Sequence, residues 1–439
     1  MNFVQLTPGA GPMYCGNCFR DNALVAALRR AGHEALMVPL YLPLTLDEVN
    51  QSAGTPLFFN GINVYLEQKS ALFRRAPAWV HRLFSSPRLL KWAAGRAAKT
   101  RAADLGDLTL SMILGEEGRQ ARELVQLVDF LKTHAKPDII CLSNALLIGM
   151  ARQLKQELGV PVACVLQGED TFLDALPESH RDLVWRTLAE RARDVDLFIP
   201  PTQYFGDLMA RRLQLPPEKV KVIFNGLNPE GWPEPGAAAG PPIVGYFARM
   251  CREKGLDTLV RAFVLLKRRG RVPGLRLKVG GGCGPSDEPF VMLLKAELRD
   301  AGVLDDAEFH PNVDRAEKQA FYHGLSVFSV PAMYGEAFGL YQIEAFASGV
   351  PVVQPRHAGF PEIVHAAGAG ILCAPGDPAA LADGLEELLL DAPRRAALGA
   401  AGRQAVREIF NADQMARETL RICGDTIQKF AARPPARRA

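Results

Sequence analysis

Short apolar runs alternating with amphipathic stretches of helical length constrain this chain more than any other feature. That alternation folds as parallel strands joined by crossover helices. NFVQLTP, EALMVPL, DIICLSN, PVACVLQ, DLFIPPT and KVKVIFN are the expected strands of the first half. After the Gly-, Pro- and Ala-rich break GLNPEGWPEPGAAAGPP, the pattern restarts with PIVGYFA, LRLKVGG, AEFHPNV, SVFSVPA, VPVVQPR and ILCAPGD. A break of that composition is a natural linker. The expected layout is an acceptor-side α/β domain over 1–228, with a basic helical excursion at about 68–103, and a second α/β domain over 229–411. A closing helix and basic tail over 412–439 cross back to the first domain. Two open parallel sheets in series place their ligand crevices outside the strands' carboxyl ends, which predicts a cleft between the domains.

The 439 residues, 48% hydrophobic and 23% charged, suffice for a large core, and a core of that size splits in two. No run of about eighteen apolar residues occurs, and the opening MNFVQLTPGAGPMYCGNC has neither a basic leader nor a long apolar stretch. The expectation is a cytoplasmic chain with no spanning helix. Cysteines at 15, 18, 141, 164, 251, 283, 373 and 423 lie mostly in apolar segments, as buried thiols of a reducing compartment do. A net charge of +3 is too small to imply nucleic acid. The charge is uneven, however: Gln68 to Ala103 holds nine Lys and Arg and no acid, interleaved with Trp79, Phe84, Leu89, Leu90 and Trp92. Pro77 and Pro87 break this stretch into short helices. They favour docking on the first domain over membrane insertion, with a weak peripheral membrane contact or an acceptor-binding wall as the other readings.

Chemistry concentrates in the second half. MYGEAFGLYQIEAFASGVPVV holds Glu336 and Glu344 with seven residues between them, around Gly339 and a helix start. Helix capping alone would account for acids there. Gly339 also lets a backbone approach a ligand closely, with the first N–H groups of the helix behind it. In VGYFARMCREKGLDTLVRAF, Arg249 and Lys254 follow a strand and precede a helix, a setting that suits an anion, although a solvated basic loop is commoner. The N-terminal strand, glycine loop and helix contain no GxGxxG, which disfavours a dinucleotide oxidoreductase.

GYFARMCREKGLDTLVRAF, GEAFGLYQIEAFASGVPVV, HAGFPEIV, GAGILCAPGDPAALADGL, AALRRAGHEALMV and KVKVIFNGLNPEGW, in that spacing, resemble the retaining nucleotide-sugar glycosyltransferases of the GT-B architecture, family 4. More distantly they are similar to glycogen and starch synthases, whose segments GINVYLEQKSALF also resembles. The resemblance implies two Rossmann-like domains facing across a cleft. It also implies a sugar transferred from a nucleoside diphosphate sugar to a saccharide, glucan or lipid-linked hydroxyl, without a metal ion or other cofactor. It places donor-sugar hydroxyls on Glu336, the ribose on Glu344, and sugar and phosphate oxygens on the backbone of the turn Ala337 to Tyr341, with Ala337, Phe338, Gly339 and Leu340 as donor-binding residues. Arg249 and Lys254 would neutralise the diphosphate, Gly16 would face the donor phosphates, and Gly281 would lie near the base. Carboxylates suit paired hydroxyls because they only accept hydrogen bonds.

Two departures stand out. Where the family carries His-Gly, this chain has LQGED, and Gln167 can bond a hydroxyl but cannot titrate. Where the family has a double glycine, this chain has Cys15-Gly16, inside Cys15-x-x-Cys18. That pair reads first as a glycine loop with small side chains, then as a redox dithiol or half a zinc site. His310 and His357 are further candidates near the cleft, and His33 reads as a turn residue. The competing functions are a nucleotide-sugar epimerase of the same architecture and a sugar-nucleotide-binding protein without turnover. A phosphorylase would need a lysine-bound pyridoxal phosphate, for which no site is evident.

Overall fold

The computed structural model describes residues 1–9, 15–46, 48–59, 102–232 and 240–433, and for 102–104 the backbone alone. The chain divides into two compact units, Met1–Ile223 together with Met415–Ala439, and Phe224–Gln414. The basic stretch 68–101 and the segment GINVYLEQKSALF fall outside the described residues.

In the first unit, β1 (Asn2–Thr7), β2 (Glu34–Pro39), β3 (Ile139–Leu142), β4 (Val162–Val165) and β5 (Leu197–Ile199) form one sheet. Its order is β2-β1-β3-β4-β5 and every pair is parallel. All residues of β3, β4 and β5 are buried, as strands covered on both faces must be. That double burial is why these segments read as unbroken apolar runs.

KVKVIFN does not become a sixth strand. It makes one bridge, Val220 to Phe198, and donates from Lys221 to the Phe198 carbonyl and from Ile223 to that of Pro200. The next reciprocal bond would need an N–H on Pro200, which proline lacks, so the ladder stops.

The second unit holds β6 (Ile243–Phe247), β7 (Arg276–Gly281), β8 (Ala307–Pro311), β9 (Val327–Phe328), β10 (Val352–Pro355) and β11 (Gly370–Cys373). They pair in the order β11-β10-β9-β6-β7-β8, again all parallel. Val244, Tyr246, Phe263, Val279, Phe328, Ile343, Phe346 and Val353 are among the buried residues between sheet and helices. Strand order reverses between β6 and β9, and in the first unit between β1 and β3. Connections leaving neighbouring strands in opposite directions open a crevice at their carboxyl ends, so the topology marks one ligand position per unit.

The closing helix Ala412–Ala431 belongs to the first unit from Met415 onward. Thr419, Ile422 and Cys423 are buried on it, and Arg433 just beyond reaches Asp196 at 2.8 Å, a carboxylate that Lys155 also contacts at 3.0 Å. All eight cysteines are free thiols. Among the described residues no helix is long and apolar enough to cross a membrane.

Candidate functional site

At the reversal point of the second unit the loop after β6 is stitched to the loop after β9. The Met333 N–H donates to the Glu253 carbonyl at 2.9 Å. Gly255, with φ +72°, lies so close that a Cβ there would stand 1.9 Å from the Pro331 carbonyl oxygen. Only glycine permits both the conformation and the approach. This crossing delivers Lys254, at the end of the turn Arg252–Lys254, to Glu336 on the neighbouring loop.

Lys254 Nζ lies 2.6 Å from Glu336 Oε2 and also bonds the Tyr334 hydroxyl. The hydroxyls of Tyr334 and Tyr341 each donate to that same Oε2 at 2.9 Å. Oε1 receives none of these bonds and has no other partner among the described residues. Burial would raise the Glu336 carboxyl, but Lys254 and the two hydroxyls hold it below the usual carboxylate range. Burial and the adjacent carboxylate push both tyrosine hydroxyls up, so they remain donors. Both rings also flank the ammonium, with centroids 4.9 and 5.4 Å from Nζ.

Directly after Glu336 come Ala337 and Phe338, both buried, and then Gly339, whose φ of +78° opens the helix Leu340–Ala347. A Cβ on Gly339 would meet the Tyr341 ring at 2.9 Å, so the chain can bend there only without a side chain. The loop after β10 backs this turn. Gly359 N–H donates to the Glu336 carbonyl at 3.0 Å, and a His357 ring nitrogen sits 3.0 Å from the Ala332 carbonyl oxygen.

Glu344, on the same helix, takes Lys318 Nζ on Oε1 and the Tyr322 hydroxyl on Oε2, both at 3.0 Å. Arg249 does not join Lys254 on a shared carboxylate. It forks onto Asp287, with Nε and Nη2 at 3.1 and 2.9 Å from Oδ1 and Nε at 3.0 Å from Oδ2. Burial would raise Asp287, yet this fork and the Gly284 N–H hold it below the ordinary range. The Arg249 side chain itself is 60% exposed, which leaves much of the guanidinium open. Gly281, at φ +117°, abuts the same loop: a Cβ there would lie 2.1 Å from the Ala248 carbonyl oxygen.

The remaining expected site residues belong to the first unit. Gly16 is the first residue of the helix Gly16–Arg30, on which Asp21 is buried and accepts from Thr7 at 2.9 Å and Ser143 at 2.5 Å. Gln167 follows β4 and donates Nε2 to the Ser143 carbonyl at 2.9 Å. Thr7, Ser143 and Gln167 thus gather at the carboxyl ends of β1, β3 and β4. Gln167 N–H and Ala145 N–H bind the buried Glu169 at 2.8 and 2.7 Å, and burial pushes that carboxyl up to about 7. His310, on β8, pairs with Glu308 at 3.3 Å, and a ring nitrogen of His33 lies 3.3 Å from the N-terminal amine.

Sequence reasoning missed Tyr334, the hydroxyl of Tyr341, Asp287, Lys318, Tyr322 and Glu169. The two tyrosines were visible in MYGEAFGLY, two residues before and five after Glu336, and an acid flanked by hydroxyls is a signal that can be read. Asp287 and Lys318 stand 38 and 26 positions from their partners, and no local pattern announces them.

Two all-parallel α/β units, the second with an ion-paired carboxylate at its strand reversal, define the GT-B class of fold. Residues 109–230 match the model described as Glycosyltransferase Family 4, and residues 232–405 match Glycosyl transferases group 1. The chain belongs to this glycosyltransferase family. It is 34% identical over 181 residues to the GDP-mannose-dependent alpha-(1-6)-phosphatidylinositol monomannoside mannosyltransferase of Mycobacterium tuberculosis, covering 40% of this chain and 45% of that one. It is 32% identical over 253 residues to the D-inositol 3-phosphate glycosyltransferase of Stackebrandtia nassauensis, covering 54% and 56%. The chain therefore spans about half the length of the curated relatives it matches. Sucrose-phosphate synthase from Thermosynechococcus elongatus shares the fold, with a TM-score of 0.71 over 98% of this chain and 99% of that one at 20% identity.

Proposed function

We propose that this chain transfers a sugar, with retention of configuration, from a nucleoside diphosphate sugar to a hydroxyl acceptor that is a saccharide, a glucan or a lipid-linked sugar. The observation that carries this reading is the Lys254–Glu336 pair at the reversal of strand order, with no partner for Glu336 Oε1 among the described residues and a helix start soon after it. A carboxylate kept charged in a buried setting is a ready acceptor for donor-sugar hydroxyls. Beside it, N–H groups of the Gly339 turn face sugar and phosphate oxygens. Lys254 and the open part of Arg249 neutralise charge as the diphosphate leaves, the work a metal ion does elsewhere. Asp287 holds the guanidinium in one orientation for that purpose. Glu344 takes the ribose, sharing its acceptor capacity with Lys318 and Tyr322. The acceptor hydroxyl attacks on the face that the diphosphate vacates and gives its proton to a phosphate oxygen. A GDP-mannose-dependent relative supports a nucleotide-sugar donor.

One observation favours a second reading, donor binding without turnover: Gln167 replaces a titratable residue and commits its amide to Ser143. One experiment separates the two. UDP-, GDP- and ADP-sugars are tested in a thermal-shift panel, where a ligand at 100 times its dissociation constant stabilises the folded state by about 2.7 kcal/mol. The stabilising donor is then incubated with sugar acceptors and the product anomer is read by NMR. Stabilisation followed by a product of unchanged anomeric configuration is expected. Stabilisation without any product selects the binding protein, an inverted product removes the retaining assignment, and no stabilisation by any donor sinks both readings.

A further inference from the structure

We propose that Cys15 and Cys18 form a reversible dithiol–disulfide site, opened and closed by exchange with a small disulfide such as oxidised glutathione. Cys15 caps the helix Gly16–Arg30, and the Phe19 N–H closes the first turn on the Cys15 carbonyl at 3.1 Å. Cys18 therefore lies one turn further along the same face. Cα atoms three residues apart along a helical turn are about 5 Å apart, inside the roughly 4.4–6.8 Å that a disulfide spans. The Cys18 side chain stands near enough to favour the Cys15 thiolate.

Their environments divide the labour. Cys15 is partly exposed and Cys18 is buried. The neighbouring Cys18 side chain lowers the Cys15 thiol against the opposing effect of burial, while the nearness of Cys15 and burial raise Cys18. Attack by an accessible thiolate on a disulfide, followed by resolution by a second, neighbouring thiol, is the usual course of exchange. Buried Cys141, Cys164, Cys373 and Cys423 are pushed up by desolvation, as are the partly exposed Cys251 and Cys283.

The chemistry balances without a metal. The Cys15 thiolate attacks one sulfur of RSSR, forming the mixed disulfide and releasing RS⁻. Cys18 gives its proton to solvent and attacks the Cys15 sulfur, and a second RS⁻ leaves. Two electrons pass from the pair to RSSR, and excess thiol runs the sequence backwards. Gly16 lies between the two cysteines, so the consequence for donor phosphates rests on the function proposed above; the exchange itself does not.

Trypsin offers a clean readout, because Met1–Arg20 is a single tryptic peptide that contains these two cysteines and no others. The full chain is equilibrated with oxidised glutathione at neutral pH, quenched with an alkylating agent and digested. The expected peptide carries no alkyl group, is lighter by two hydrogens than the unmodified dithiol, and regains two alkyl groups after dithiothreitol. Cys18→Ser should trap one glutathione on Cys15, and Cys15→Ser should react at least tenfold more slowly. Double alkylation of the wild-type peptide after glutathione treatment would overturn the proposal even if neither variant folds, and so would one stoichiometric zinc lost in the Cys15→Ser/Cys18→Ser variant. UDP, GDP and ADP are then titrated into both redox forms: binding at least threefold different between them supports the link to Gly16 and equal binding refutes it. No binding to either form refutes the donor assignment and leaves the disulfide result standing.

Discussion

Glu336 in the second unit and Glu169 in the first both follow the carboxyl end of a buried strand, and both are buried themselves, yet they are held in opposite states. Glu336 meets Lys254 and two tyrosine hydroxyls and stays below the usual carboxylate range. Glu169 meets two backbone N–H groups and, among the described residues, no cation, and desolvation carries it to about 7. Burial pushes every carboxyl upward, and dipoles only moderate that push. A full positive charge within contact distance reverses it. The second unit therefore keeps a fixed anion at its reversal point, and the first keeps a carboxyl that titrates near neutrality.

The strongest way to break that comparison is to remove the cation. Lys254→Met should destabilise the protein by about 3–5 kcal/mol at pH 8, because a buried charge is left uncompensated. Adding Glu336→Gln should recover most of the loss in urea denaturation. A single variant as stable as wild type would show that Lys254 does not hold Glu336 charged. Next in size, Glu336→Gln should lower turnover of the intact sugar nucleotide by roughly 10²–10³-fold, the scale of a lost electrostatic contact to the reacting group. Glu344→Gln should act mainly on nucleotide affinity. Steady-state kinetics that show the reverse split would exchange the two roles.

Glu169 sharpens the other side. Its folded pKa of about 7 lies above an unfolded value near 4.3, so its contribution to stability is complete below the unfolded pKa and is lost as pH rises through 7. Over that window the stability of wild type relative to Glu169→Gln should fall by up to about 3 kcal/mol and then level off. A flat difference across pH 4–8 would mean that Glu169 is as solvated as a surface acid. The smallest effect belongs to Arg249. Because its side chain is 60% exposed, Arg249→Ala should cost under about 1 kcal/mol of stability. The same change should weaken nucleoside diphosphate binding roughly tenfold, about 1.4 kcal/mol by calorimetry.

Much of this was legible beforehand because it depends on neighbours in sequence. The alternation of apolar runs and amphipathic segments set two parallel sheets. Glu336, Gly339 and Glu344 share one stretch, and Arg249 and Lys254 share another. KVKVIFN was misread because its own pattern is that of a strand, while the residue that ends the ladder, Pro200, lies on the segment beside it. The partner of Arg249 was equally hidden. Asp287 comes near only because β6 and β7 are adjacent, and Gly281 lets the end of β7 close on the loop that carries Arg249.

By itself, then, the sequence determined the period of burial, the places where the chain must turn, and which charges stand near a helix start. Those properties follow from side-chain alternation and backbone sterics over a few residues. Only the tertiary structure decided that Lys254 faces Glu336 while Arg249 faces Asp287, and that Glu344 is shared by Lys318 and Tyr322. It also decided that Glu169 has no cation beside it among the described residues. Each of these depends on which strands become neighbours at a reversal of order. Electrostatic energy falls with distance in space and takes no account of separation along the chain, so the ionisation state of a buried acid is fixed only once the fold has chosen its neighbours.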